Sequence, residues 1–367
     1  GYSNKIEIAA LRFPGDANDD PGKVPAPFRV FSREELEALP EHAQVLLMNA
    51  TKSDDFYAEY TGVAMEDLLK TARMLPAATN IKVFAPDGFS QFFSLQPVPA
   101  DPAVYHVIGD YPADAFHYNE VADMAKNPAG WCKYNSPAVS GLKDGDPIRN
   151  EDGLKLMLAI QRDDAYLVPG VLNSQNKLDG EGPYRVVPPQ KTPGPPDQRS
   201  TATNSSLPWP YSTSNDHNAG PSPRSATIVR VEPLPEGTTD IDLLEAGWKY
   251  IDESKIVVYG AIHPGPTILS KLDALIALME SSDRKAYKNV LYKKLLVFEA
   301  QIARQFAKCG KYKAALSILE KGVLTHADGC SAGSGGVDRN DWVKDCELQK
   351  KIYWSLNELI VLFGIIV

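Results

Sequence analysis

Two glycines, a glutamate and an arginine crowd into the run Lys177-Leu178-Asp179-Gly180-Glu181-Gly182-Pro183-Tyr184-Arg185-Val186-Val187-Pro188-Pro189, and the chemistry this set offers is anion recognition. Glycines free the backbone to turn, so N–H groups can point outward beside a guanidinium, whose planar fork matches an oxyanion. The same residues have a second use, in which Arg185 pairs with Glu181 or a nearby carboxylate and holds the turn. Further on, Asn215-Asp216-His217-Asn218-Ala219-Gly220 sets an imidazole among short polar side chains. His217 and Asn218 are candidate ligand contacts, against the plainer reading of an Asx-rich turn.

His106 and His117 flank an aromatic-rich stretch that leads to Cys132, and the three would bind a metal only if the fold gathered them. The loop from Asp328 to Trp342 offers Asp328, Asp338 and Asn340 at spacings that a hard cation such as calcium accepts, without the ligand ladder of an EF-hand. Asn340 or Asp341 would serve equally as N-cap of the last helix. Cys330 and Cys346 bracket the glycine-rich part of this loop and could close it as a disulfide, a pair of buried thiols being the alternative. The sequence has no phosphate-binding glycine loop, HExxH, CxxC, CxxCH or GxSxG. Asn49-Ala50-Thr51 and Asn204-Ser205-Ser206 fit the glycosylation pattern, which matters only in a eukaryotic secretory pathway.

Three stretches resemble a known family. Tyr60-Thr61-Gly62-Val63-Ala64-Met65-Glu66-Asp67-Leu68-Leu69, Phe84-Ala85-Pro86-Asp87-Gly88-Phe89 and the Gly180 to Pro188 run follow one another as in the oxidoreductase molybdopterin-binding superfamily of the sulfite-oxidase type. The resemblance covers residues 29–190 and implies a mixed α+β scaffold. In active members it implies molybdenum held by a cysteine thiolate beside the cofactor's dithiolene. It places that cysteine near Val45-Leu46-Leu47-Met48-Asn49-Ala50-Thr51, where this chain has none. Met48 is a thioether and cannot be deprotonated. Of the basic run with which the family grips the pterin phosphate, the counterpart Ser222-Pro223-Arg224-Ser225-Ala226-Thr227 keeps only Arg224. The scaffold is therefore implied without its redox centre, unless Cys132 reaches the metal from the insertion. A short pattern, Asp328-Gly329-Cys330 followed by Asp341-Trp342 and Asp345-Cys346, resembles helical modules appended to secreted enzymes, which implies a docking or structural role.

The elements that must position these residues are legible in outline. Ser32 with Glu35 three residues on predicts a capped helix start. Residues 44–49, 81–85 and 255–259 read as strands, 67–74 as a short helix stopped before Pro76, and Asp87-Gly88 as a hairpin turn. Residues 226–234 alternate like an edge strand. Residues 96–152 and 191–224 are loop-rich, and loops of that length are functional or disordered. From Pro266 the period becomes helical. Stripes run through Ile268, Leu272, Leu275, Ile276 and Met279, through Tyr287, Leu291, Leu295, Phe298, Ile302 and Phe306, through Tyr312, Leu316, Leu319 and Val323, and through Trp342, Cys346, Tyr353, Leu356, Ile360 and Phe363.

These readings give an extended arm over 1–28, an α+β domain of the molybdopterin-binding type over 29–262, and an all-α four-helix bundle over 263–367. At 367 residues two domains are expected, and a net charge of −9 argues against nucleic acid as the main partner. No apolar run approaches the roughly 20 residues of a membrane span. The chain opens at Gly1 as a processed or trimmed protein would, and the cysteine pair favours an oxidising compartment, periplasmic or extracellular and bacterial. The reading that follows is an exported protein that lacks the metal-ligating cysteine and binds a small ligand or a redox-partner protein. Its pocket would lie between Asp87 and Gly88, the turn of Gly180, Glu181, Gly182 and Arg185, and the loop of His217, Asn218 and Arg224. The alternatives are an active molybdopterin-dependent oxidoreductase using Cys132, or an assembly protein that docks through the bundle and forms oligomers.

Overall fold

The computed structural model describes residues 24–50, 54–97, 104–112, 118–126, 132–175, 177–192, 196, 217–241, 243–331 and 336–367. The chain is mixed α+β. Its contacts divide it into two compact units. One comprises Val30–Pro233 with Leu243–Val258; the other takes Gly1–Arg29, Leu234–Asp242 and Tyr259–Val367. Of the expected N-terminal arm, residues 1–23 lie outside the described residues, and Val24–Pro25 pairs in parallel with Thr238–Thr239. Of the residues singled out in the sequence, His117, Asn204 and Asp216 also fall outside them.

The first unit is built on two sheets. Strands Arg185–Val187, Met157–Arg162, Asp55–Ala64 and Glu41–Met48 stand side by side, with Cys132–Lys133 and Ala165–Tyr166 added at the flanks. Alternate residues of these strands bury one face, where Leu46, Met48, Ala58, Tyr60, Met157, Ala159 and Val187 pack with Leu167. Gly62 is required here, because a Cβ would stand 2.2 Å from the Leu158 carbonyl oxygen, at a register shift between Thr61 and Gly62. Immediately after the strand, Met65–Thr71 forms the helix that follows the turn. The outer strand Glu41–Met48 has its edge covered by Asn150, whose amide oxygen accepts from the Val45 N–H at 2.7 Å and whose amide nitrogen donates to the Val45 carbonyl at 3.0 Å.

In the second sheet the order is Phe28–Ser32, Lys255–Gly260, Ile228–Glu232, Asn80–Phe84, Ser90–Ser94. Ile228–Glu232 is thus an interior strand and not the expected edge. Its alternation arises because Val229 and Val231 are buried while Arg230 and Glu232 pair with each other on the other face. Ser32 caps helix Arg33–Glu37 as expected, with both arms of the capping box formed to Glu35.

The second unit is helical: Gly265–Ser281, Val290–Lys308, Tyr312–Ile318 running into a π-helical turn Leu319–Val323, and Cys346–Gly364. Ile268, Leu272, Leu275, Met279, Leu296, Ala300, Leu319, Leu356 and Phe363 share its core. Two expectations need correction. In Val290–Lys308 the buried side carries Leu296, Ala300, Ala303 and Ala307, while Leu291 is 60% exposed and Phe298 57%. Alanines let the backbone approach its neighbours, whose leucines fill the core, so Leu291 and Phe298 are turned outward, while Leu296 is buried and Val297 and Phe306 pack against the core. The last helix is capped by Asp345, whose carboxylate accepts from the Leu348 N–H at 3.0 Å. Neither Asn340 nor Asp341 does this, because Asp341 is consumed inside the preceding loop.

Candidate functional site

The turn between strands Leu178–Asp179 and Arg185–Val187 lies on the segment Leu167–Gly170, and its glycines exist for that closeness. A Cβ on Gly182 would stand 2.3 Å from the Leu167 carbonyl oxygen, and on Gly180 (φ +96°) 2.7 Å from that of Pro169. The N–H groups of Glu181 and Gly182 both donate to the Val168 carbonyl, at 3.1 and 2.7 Å, and that of Gly180 meets the Asp179 carboxylate. The turn therefore satisfies its own donors.

The side chains form a buried network with partners from other strands. Arg185, 5% exposed, donates through Nε to Ser222 Oγ at 2.8 Å and through Nη1 to the Tyr60 hydroxyl at 3.1 Å. The same Nη1 lies 3.2 Å from Glu181 Oε2, an ion pair by distance in which that oxygen receives no aligned hydrogen bond. Glu181 Oε1 takes its hydrogen bond from Arg162 at 2.5 Å. Burial pushes the Tyr60 hydroxyl up to about 12, so it stays a phenol. Two guanidinium groups thus converge on one carboxylate, Asp163 also acts on Arg162, and the Arg162 side chain is 40% exposed. Glu181 with Arg185 is visible in the sequence at a spacing of four. Tyr60, Arg162 and Ser222 come from distant strands and loops, and the one sequence signal for Arg162 is a charge closing an apolar strand.

Asn218 has a structural position. It is fully buried: Oδ1 accepts from the Asn49 N–H at 2.8 Å, and Nδ2 donates to the carbonyls of Pro188 at 2.8 Å and Leu47 at 3.1 Å. The Ala219 N–H then reaches the Asn49 carbonyl at 3.0 Å, continuing the ladder of the outer strand. His217 is half-buried beside this plug, and Arg224 is exposed, with one contact to the Leu178 carbonyl at 3.3 Å. The Asp87-Gly88 hairpin belongs to the second sheet, where Asp87 accepts from the Phe89 N–H. Among the described residues no hydrogen bond joins it to Glu181, Arg185 or Asn218.

A molybdenum cofactor, implied by the resemblance, can be tested against these residues. The segment where the thiolate is expected offers Met48 and Asn49, and Asn49 is interlocked with Asn218, so this set does not fit the group. The nearest thiol is on a neighbouring strand. Cys132 is buried and stands opposite Asp55 in a parallel pairing, and Asp55 in turn accepts from the Ala50 N–H at 2.7 Å. Tyr57, Tyr118 and Tyr134 gather with ring centres 5.4 to 6.0 Å apart. Burial, then its 2.5 Å bond to Glu120, raises the Tyr118 hydroxyl. His106 stacks on Tyr111 and bonds the Ile108 carbonyl, and burial pushes its imidazole down.

Comparison with known proteins returns no matching family model, no matching curated protein and no matching solved structure.

In the helical unit Cys330 and Cys346 form a disulfide. Asp328, Asp338 and Asp341 bring carboxylate oxygens within 4.8 Å of one another. Asp341 is buried and accepts from the N–H groups of Asp338 at 2.6 Å and Gly329 at 3.3 Å. Asp338 accepts from those of Asn340 and Asp341, and Asn340 contributes only backbone to this arrangement. These bonds account for the cluster as a loop brace. Among the described residues no helix is long and apolar enough to cross a membrane.

Proposed function

We propose that this chain is a binding protein on a scaffold of the sulfite-oxidase molybdopterin-binding type, without the molybdenum reaction. The observation that carries the reading is the Asn49–Asn218 interlock, which fills with amide bonds the place where the thiolate anchor is expected. The ligand on this reading is anionic, either a small molecule or an acidic group of a redox-partner protein. It would meet Arg162 and Arg224, whose side chains reach the surface, Arg162 from a network in which two guanidinium groups share Glu181. Arg185 supports that surface from inside. The helices of the second unit are read as a four-helix bundle braced by the disulfide, and the disulfide favours an oxidising periplasmic or extracellular setting.

One observation favours the rival reading of an active oxidoreductase: Cys132 stands opposite Asp55, which accepts from the N–H of Ala50, two residues past the end of the outer strand. Elemental analysis of protein from a molybdopterin-competent host separates the two. The binding reading expects no stoichiometric molybdenum. Molybdenum at one atom per chain, lost on Cys132→Ala, would overturn it.

A further inference from the structure

Residues 288–321 carry eight Lys and Arg against two Glu, a net of +6 in a chain whose total is −9. Three of the eight are occupied. Lys288 donates to the carbonyls of Asp338 and Arg339, Lys293 to those of Glu280 and Ser282, and Arg304 pairs with Asp273. Lys294, Lys308, Lys311, Lys313 and Lys321 meet no carboxylate among the described residues. Of the two glutamates, Glu299 turns inward, close enough that a Cβ on Gly322 would stand 2.5 Å from its Oε2. Most of the positive charge therefore faces outward without compensation.

The same helix exposes three apolar residues, Val290, Leu291 and Phe298. Leu296, Ala300, Ala303 and Ala307 fix its inner side. At about 100° per residue, Leu291, Lys294, Phe298 and Gln305 fall on the opposite side. Leu291 and Phe298, one heptad apart, are 60% and 57% exposed, and Val290 beside them 46%. These tips stand on the outward curve of a helix and alternate with ammonium groups on long stems. That arrangement suits a planar anionic interface, where apolar tips enter the acyl boundary and lysines remain among phosphates.

We infer that the outer side of helix Val290–Lys308, with the lysines that follow it, is a docking face for an anionic lipid surface. Apolar tips and uncompensated charge act together, so neither alone should suffice. Cosedimentation of the chain with phosphatidylcholine vesicles containing phosphatidylglycerol, and with pure phosphatidylcholine vesicles, tests this. Binding is expected to the anionic vesicles only. It should weaken about fivefold for each of Lys294→Gln and Lys308→Gln and about tenfold for Phe298→Ser. The substituted side chains are exposed, so the melting curve should stay where it is in each variant. Equal binding to both vesicle types, or affinity indifferent to Phe298→Ser, would overturn the inference. Absence of vesicle binding would also overturn it. Neither result bears on the molybdenum measurement, which concerns the other unit.

Discussion

Glu181 lies between two guanidinium groups, and that position makes it the residue whose loss should cost most. Replacing it by Gln leaves Arg162 and Arg185 facing each other without an anion, one of them fully buried. Removing one member of a buried pair costs about 3 kcal/mol or more, because the remaining charge is stranded. Urea denaturation should therefore rank Glu181→Gln and Arg185→Met well above Arg162→Met, whose side chain is partly solvated and worth about 1 kcal/mol. Equal effects at the three positions would show that the network is not coupled. The sequence exposed the Glu181–Arg185 half of this arrangement, since both sit within one turn. It hid Tyr60, Arg162 and Asn218, whose partners are set by strand register and by a loop that returns from more than 150 residues away in the case of Asn218 and Asn49.

At the level of elements, the helix Val290–Lys308 shows how periodicity can be right and its direction wrong. An apolar stripe of Tyr287, Leu291, Leu295, Phe298, Ile302 and Phe306 fits the helical period, and Tyr287 and Phe306 do reach the core, yet Leu291 and Phe298 face outward because the side carrying small alanines is the one that packs. Periodicity reports that a helix has two sides; which side is inward depends on the volume its neighbours leave. The capping box at Ser32 and the hairpin at Asp87-Gly88 were legible because their bonds are local. The loop before the last helix was half legible. Its disulfide follows from two cysteines and a glycine-rich span, but the cap shifted to Asp345 because Asp341 is engaged with Gly329 and Asp338. With its ends at a sequence separation of 16, the Cys330–Cys346 bond should contribute about 3 kcal/mol by restricting the unfolded chain. Calorimetry of the Cys330→Ser, Cys346→Ser double variant should show the loss, and Gln349, which holds the Cys330 N–H at 2.8 Å and the Val343 carbonyl at 2.6 Å, should retain part of the loop's order.

At the scale of the whole molecule, three carboxyls among the described residues are held above their ordinary range: Glu59 by burial and then by Asp164 and Asp163, Glu299 by burial, and Asp328 by burial and then by Asp341 and Asp338. A carboxyl whose value is higher in the folded chain binds its proton more readily there. Its contribution to stability is fully present below the unfolded value and is lost as pH rises through the folded one. With a net charge of −9 adding self-repulsion near neutrality, these carboxyls should raise the melting temperature by roughly a few degrees as pH falls from 7 to about 5, offset in part by His106, whose lowered imidazole loses its contribution over the same fall. Combining Glu59→Gln, Glu299→Gln and Asp328→Asn should flatten that rise, and an unchanged slope would place the titrating groups elsewhere.

The shift at Gly62 reaches beyond stability. With the Leu158 oxygen 2.2 Å from any Cβ placed there, no side chain can be admitted unless the two strands part. Descendants of this gene are then bound to one codon family at that point, whatever ligand or surface they come to serve. Change in what the protein recognises must enter through the loops, while the sheet beneath them is inherited intact.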